Sequence, residues 1–429
     1  LTSSASVSTN GGTVTINTVQ PFALGSSLNA GTGQILLQSG SLSSTSAQTV
    51  TASTVNVSVG TAWNQHGTLS GALSVAGTLS PAPSGVAGSL QVTGALTLQS
   101  TATTVIDLGG TSQGSSYDSI TSSAAVTVAG ALQLNFVGGF ENQIVNSNTF
   151  TLLSGSSLTG TFTGLPNNAR ITLPNELGSV KITYNSTSVV LSDWQPYIRD
   201  LTWDPGSADA GTQVLAATNT RAGRHYFRLT TQTTDIGAWR SRLTVTSGEA
   251  DLYLYTGSIP QTPATYHYRS LITGSDGVVL RPDQYTVGQD WYLVVNATAG
   301  AQWSLFSGRA YVQDLGTLGW TDANSNGQYD IGETALPSGT TTTVPAEGIR
   351  FLKSTVPTGT PAWSLWLNGD TRALAVRKSY VPFHASSSYY DRLQAGRMLV
   401  VAPYFTGITS TYFLSVLGTP GDSVTLDSR

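Results

Sequence analysis

The first 106 residues contain no Asp, Glu, Lys or Arg, and Val, Ile and Leu alternate there with Ser, Thr, Gly and Asn. β-Branched residues are too dense, and glycine too frequent, for a long helix. Segments such as TVTINTV, TVNVSV, ALSVAGTL and SLQVTGALTL have the period-two pattern of strands, with Gly or Asn in most of the gaps. A short uncharged rung of this kind cannot bury its apolar face alone. Stacking rungs into a β-solenoid, aliphatic side chains inward and Ser, Thr and Asn outward, solves that problem. A β-sandwich with the same alternation is the alternative. From Thr103 to Leu191 the strands lengthen and the repetition weakens, which predicts a capping set of strands over the stack.

Charge then divides the chain. Seven charged residues lie between Asp107 and Asp193, and 35 of the 42 follow Ile198. Tryptophan follows the same division, with Trp63 alone before Trp194. The segment DWQPYIRDLTWDP, with Pro196 and Pro205, marks the boundary. Beyond it HYFRLTT, WRSRLTVTSG, ADLYLYTG and WYLVVNATAG read as short antiparallel strands, with turns at Gly257, Asp276-Gly277 and Gly300. The expected fold is therefore all-β: a solenoid over 1–195, a β-sandwich over 196–312, a linker over 313–344 and a second sandwich over 345–429.

Composition excludes several functions. A net charge of −4 without a Lys/Arg cluster argues against nucleic-acid binding. No apolar run is long enough to span a membrane as a helix. Zero cysteines remove disulfides and thiol chemistry, so a chain of this size must rely on strand pairing and burial. The chain starts at Leu1, and it reads as a mature product or a piece of a longer exported polypeptide.

The phrases GTLSP, LQVTGALTLQS, YDSITSSAAVTVAGALQLNFV, FTLLSGSSLTGTFTGLP and ITYNSTSVVLSD, over about 65–193, carry a family likeness. They resemble the autotransporter-associated and filamentous-haemagglutinin-like solenoid regions of bacterial surface proteins. That resemblance implies an extracellular, elongated, non-catalytic stalk or adhesive surface. AGRHYFRL, RLTVTSGEADLYLYTG, TYHYRS and DQYTVGQDWYLVVNATAGAQWSLF, over about 210–308, resemble the pre-peptidase C-terminal (PPC) domain of exported bacterial proteins. This second resemblance implies an accessory sandwich without catalysis of its own. A weaker copy follows over 345–420. GIRFLKST parallels HYFRLTT, AWSLWLNGDTRALAVRKS parallels WRSRLTVTSGEADLYLYTG, GRMLVVAPYFTG parallels QDWYLVVNATAG, and STYFLSVLG parallels AQWSLFSG.

One motif carries chemistry. In the run from Trp320 to Glu333, oxygen donors fall in calcium-loop register: Asp322, Asn324, Asn326, the Gln328 carbonyl, Asp330 and Glu333, with Gly327 at the sharp turn. Neither flank is helix-forming, so this is a loop without the helical hand, expected to bind Ca2+ and to stiffen the connection between the sandwiches. The bland alternative is a polar Asn/Gly turn. Glu249, Asp251, Asp276 and Asp283 form a second candidate set, with solvated turn acids as the favoured reading.

Enzyme readings do poorly. Gly110–Gly114 formally matches G-x-S-x-G but leads into another strand instead of a helix. His225, His267 and His384 lack metal spacing and read as packed or surface residues. The expectation is a secreted or cell-surface structural and adhesive protein, a repeat-built filament or layer component that self-associates and meets a glycan or surface ligand. The rival is a carbohydrate-binding accessory region of a larger exported hydrolase, using Trp239, Trp291, Trp303, Trp363 and Trp366 with Tyr253, Tyr255, Tyr266 and Tyr268 as sugar platforms.

Overall fold

A computed structural model describes residues 2–3, 6–44, 46–259, 266–326, 330–336, 339–357, 360, 362–367, 372–401 and 410–428. The protein is all-β; the helical pieces among the described residues are single 3-10 turns at Phe140–Asn142, Pro282–Gln284 and Ser387–Tyr389. Among the described residues, no helix is long and apolar enough to cross a membrane. The chain divides into two compact units, Leu1–Tyr197 and Ile198–Arg429.

The first unit is built from parallel ladders. One runs through Phe22–Leu24, Ser41–Ser43, Ala62–Asn64, Thr78–Ser80, Thr103–Leu108 and Ala131–Phe136. Two more share the larger sheet, and the strands Gln48–Val57 and Gly67–Val75 each pass from one to the other. The sequence alternation explains the register. Val14, Ile35, Val55, Leu73, Leu96, Val126 and Leu158 are successive partners in one stack; Ile16, Leu37, Val57, Val75 and Leu98 form the next. Ile35, Val55, Leu37 and Val75 are wholly buried, each worth roughly 1.5–3 kcal/mol of transfer free energy. Between the two stacks Thr15, Leu36, Asn56, Ser74, Thr97 and Thr127 stand on the opposite face, uncharged throughout. A one-residue slip would exchange the two sets, so the stack fixes its own register.

Gly71 makes the bend. Its φ of 146° coincides with the register shift between Ser70 and Ala72, and a Cβ there would lie 1.8 Å from the Ala52 carbonyl oxygen.

The cap is smaller than the sequence implies. Parallel pairing continues to Ser157–Gly160, so most of 103–191 belongs to the stack itself. Only then does Phe150–Ser154 accept Ser188–Gln195 antiparallel, followed by Gly178–Tyr184 and Arg170–Leu173. Long connections, not a change of strand class, blurred the repeat in the sequence.

The second unit contains two sheet pairs of one topology. In the first, Ile198–Asp200, Gly223–Thr230, Asp290–Ala297, Ala250–Thr256 and Tyr268–Ser270 are neighbours in that order. They oppose Leu215–Ala216, Gln302–Arg309, Trp239–Ser247 and Asp276–Leu280 around a core of Phe227, Trp239, Leu243, Leu252, Trp291 and Trp303. In the second, Gln313–Thr317, Ile349–Val356, Ser410–Leu417, Ala373–Lys378 and Arg392–Ala395 take the same places. They oppose Thr340–Thr343, Ser423–Ser428, Ala362–Leu367 and Arg397–Val401 around Leu352, Trp363, Leu365, Leu374 and Leu414. Each pair opens with a short strand parallel to its neighbour.

This order corrects the sequence correspondence by one strand. STYFLSVL takes the place of DWYLVVNA, SVTLDS that of QWSLFSGR, and GRMLVV that of DGVVL. A side-chain bond fixes the match: Trp239 Nε1 donates to Ser307 Oγ at 2.8 Å, and Trp363 Nε1 to Ser428 Oγ at 2.9 Å. Residues 313–344 are therefore not a linker. Gln313–Thr317 and Thr340–Thr343 are strands of the second pair, which begins at Gln313 and not at 345. Asp276 and Gly277, expected as a turn, open a strand instead, and Asp276 is fully buried.

Candidate calcium loop and buried charge clusters

The loop is a hairpin inserted between the first two strands of the second sheet pair. Gly319–Trp320 pairs with Ala335–Leu336, and Thr321 N donates to Thr334 O at 2.9 Å. Asn326 N donates to Asp322 Oδ1 (3.0 Å) and to Asn324 Oδ1 (3.1 Å). Asp330 Oδ2 accepts from Asn324 Nδ2 (2.7 Å) and Asn326 Nδ2 (2.6 Å). Glu333 reaches across, Oε1 taking Ala323 N at 2.9 Å and Oε2 taking Asp330 N at 2.8 Å. Ser325 is left-handed (φ 56°), which tightens the turn.

Five of the six expected ligands thus share one connected loop; Gln328, with Gly327 and Tyr329, lies outside the described residues. The donor chemistry fits a hard cation, because every side chain offers oxygen and Glu333 has two on the loop's near side. Turning over the Asn324 and Asn326 amides would present Oδ1 where their N–H groups now meet Asp330. Among the described residues, however, no group of three or more His, Cys, Asp or Glu is gathered as a metal cluster. The loop's acids are satisfied by N–H donors.

The second candidate set separates. Asp283 pairs with Arg281 at 3.1 Å, which holds its carboxyl below the usual range. Asp276 instead ties strands together, accepting Ser270 Oγ at 2.6 Å, Ile272 N at 2.8 Å and Leu252 N at 3.1 Å. Burial raises its pKa against those bonds, and Asp251 is raised by burial and by Asp276 and Glu249 nearby. Asp276 is thus no solvated turn acid.

The loop around Ser112 is closed by Ser116, whose Oγ accepts Ser112 N at 2.7 Å, and strand follows it. His384 Nε2 lies 3.1 Å from Ser415 Oγ, but Ser415 is fully buried within a strand, out of reach of a substrate. Burial lowers the His384 pKa. Of the proposed sugar platforms, Trp239, Trp291, Trp303, Trp363, Tyr253 and Tyr255 are buried; Trp366, 42 % exposed, is the open one.

Two clusters were not foreseen. Between the sheet pairs of the second unit, Arg240, Arg242 and Arg350 enclose Asp209 and Glu347. Arg242 grips Glu347 with Nε at 3.0 Å from both carboxylate oxygens and Nη2 at 2.8 Å. Asp209 Oδ1 takes Arg242 Nη2 at 3.1 Å, and Oδ2 takes Arg350 Nη2 at 3.0 Å. The Glu347 side chain is 1 % exposed. Burial would raise Asp209, but the bond to Arg350 and the two guanidinium charges outweigh it and hold the carboxyl low. An apolar seam of Ile236, Ala238, Ala310, Ile349, Phe351 and Phe383 continues the contact. At Gly277 the approach is so close that a Cβ would lie 2.5 Å from Glu347 N. These five ionic residues are scattered over 141 positions of sequence, from Asp209 to Arg350, and no local pattern joins them.

In the first unit, Asp107 and Asp118 are both fully buried without an ion pair among the described residues. Asp118 accepts Gly88 N at 2.7 Å and Asp107 N at 2.9 Å; Asp107 accepts Gly85 N at 2.6 Å and Asn135 Nδ2 at 3.0 Å. Burial, with the Asp107 charge beside it, pushes Asp118 up to about 7 despite its N–H bonds. A signal existed: Asp107 interrupts the apolar run Val105-Ile106-Asp107-Leu108.

No family model matches this chain, and no curated protein matches it. The likenesses to solenoid and PPC-type domains stand on the quoted residues alone.

Proposed function

We propose that the protein is a secreted, surface-displayed structural and adhesive component of bacterial type. In this reading the first unit winds as a β-solenoid stalk and the second carries two β-sandwich modules. A calcium-clamped hairpin stiffens the second module, and the protein works through its surfaces without turning over substrate.

The observation that supports it most is the pair of in-register aliphatic stacks beneath a face without charge. Such a stack grows by adding rungs, each touching only its neighbours, which suits an extended spacer. Thr2–Ser3, Val7–Ser8 and Val14–Asn17 each have a ladder partner on one side only among the described residues. An edge of this kind, where no further strand caps it, favours lengthwise association with a second copy.

Negative-stain microscopy of the full chain at rising concentration tests the reading. Elongated particles joining end to end are expected; round particles that never associate would remove it. Calcium is tested separately by titration calorimetry, with an expected dissociation constant on the order of 10⁻⁴–10⁻³ M. Asp322→Ala and Glu333→Ala should each abolish the heat, and unchanged binding would remove the calcium assignment.

A further inference from the structure

We infer that a cleft between the two sheet pairs of the second unit binds an acidic saccharide. The inference needs neither the solenoid nor the calcium reading. The cleft has a volume of about 550 Å³ and opens where the apolar seam between the pairs meets solvent. That size lies within the range of small-ligand sites, which favour junctions between modules.

Three features set the ligand class. The cleft is cationic: Arg309, Lys353 and Lys378 line it against one acid, Asp235. Arg309 is neutralised by Asp235, with Nε 2.5 Å from Oδ1 and Nη2 3.3 Å from Oδ2. Lys353 is shared with Asp314 at 3.0 Å, outside the cleft. The Lys378 ammonium instead lies over the Tyr412 ring, 6.0 Å from its centroid, and makes no ion pair among the described residues, although Asp391 holds its backbone N–H at 2.8 Å. One wall is hydroxylic, from Ser379, Ser410 and Thr411. Ser379 is held at φ 72°, a conformation that costs a serine backbone energy and places it on the wall. The apolar lining is the half-buried Val312 beside the edges of the buried Ile236 and Phe413.

A carboxylate or sulfate on a hydroxylated ring matches all three surfaces. The anion meets Lys378, the ring hydroxyls meet the serines and the threonine, and the C–H face meets the apolar lining at Val312. An inorganic anion would use only the first feature, and a neutral sugar only the other two.

The test is titration calorimetry of the full chain at low salt with trigalacturonate, a heparin-derived tetrasaccharide, maltotriose and sodium sulfate. We expect saturable one-site binding of at least one acidic oligosaccharide and none of maltotriose. Lys378→Ala should weaken that binding about ten-fold or more, and Thr411→Trp, which fills the cleft, should abolish it. Circular dichroism checks that both variants keep their strands. The proposal is overturned by maltotriose binding as well as the acids, by sulfate binding as well as the oligosaccharides, by acid binding unchanged in both variants, or by no saturable binding of either acid.

Discussion

One buried cluster in each unit holds its charge in the opposite way to the other. The first buries two carboxylates, Asp107 and Asp118, and gives them only N–H donors. In the second, one cluster sets three buried guanidinium groups around the buried Glu347 and the half-exposed Asp209, so that both of these acids meet a cation, while Asp276 elsewhere in that unit is buried against N–H and hydroxyl donors. Burial pushes Asp118 toward its neutral form against its N–H bonds, whereas the guanidinium groups hold Asp209 in its charged form. Acid and base should therefore act through Asp118 and through Asp209 with opposite sign.

The largest break in that contrast is Glu347→Ala. It strands three buried guanidinium groups against Asp209 alone and should cost about 3–5 kcal/mol. Seven of the nine tryptophans belong to the second unit, so denaturant unfolding followed by their fluorescence reads the loss. A change below 1 kcal/mol would show the network to be incidental.

The next effect is pH dependence. Asp118 is raised in the folded state from the ordinary 3.8 to about 7, so the native first unit binds the extra proton between those values. Its contribution to stability is greatest below about 4 and declines as pH rises to about 7, by up to roughly 4 kcal/mol. Asp209 has the reverse sign: its folded pKa is lowered, so its contribution is present above the usual carboxylate range and is lost as pH falls below it. Hydrogen exchange at pH 5 and pH 8 separates the units. Protection in the first unit should be higher at pH 5, and Asp118→Asn should flatten the difference.

Smaller effects compare the two copies within the second unit. Ser307→Ala leaves the Trp239 indole N–H without its acceptor and also removes the Ser241 bond at 2.7 Å; about 1–3 kcal/mol is expected. Ser428→Ala should cost less, by the missing serine partner. Equal costs would weaken the strand equivalence. Smallest is Ile35→Val in the stack, about 0.5–1.5 kcal/mol, read as a lower unfolding midpoint of the first unit.

How much of this was legible in the sequence follows from which interactions are local. Strand alternation is local, so the strands that carry Val55 and Leu73 could be read from the period alone, but not their pairing. The duplication was visible, but its later strands were matched one place early, because GRMLVV and STYFLSVL both carry the apolar alternation that DWYLVVNA shows. Only the cross-sheet bond of each tryptophan to its serine breaks that tie. Asp322, Asn324, Asn326, Asp330 and Glu333 could be proposed from the sequence because a loop's donors are contiguous. The Arg242–Glu347 pair was not, since its partners are 105 positions apart.

The strand Ser188–Gln195 is hydrogen-bonded on one side to Phe150–Ser154 and on the other to Gly178–Tyr184, and the chain leaves the first unit through it at Tyr197. Tension transmitted along the polypeptide at that exit loads both ladders together, in shear along their length. An outermost strand would be peeled one bond at a time. A last strand fastened between two others gives way later under such a load than an edge strand does.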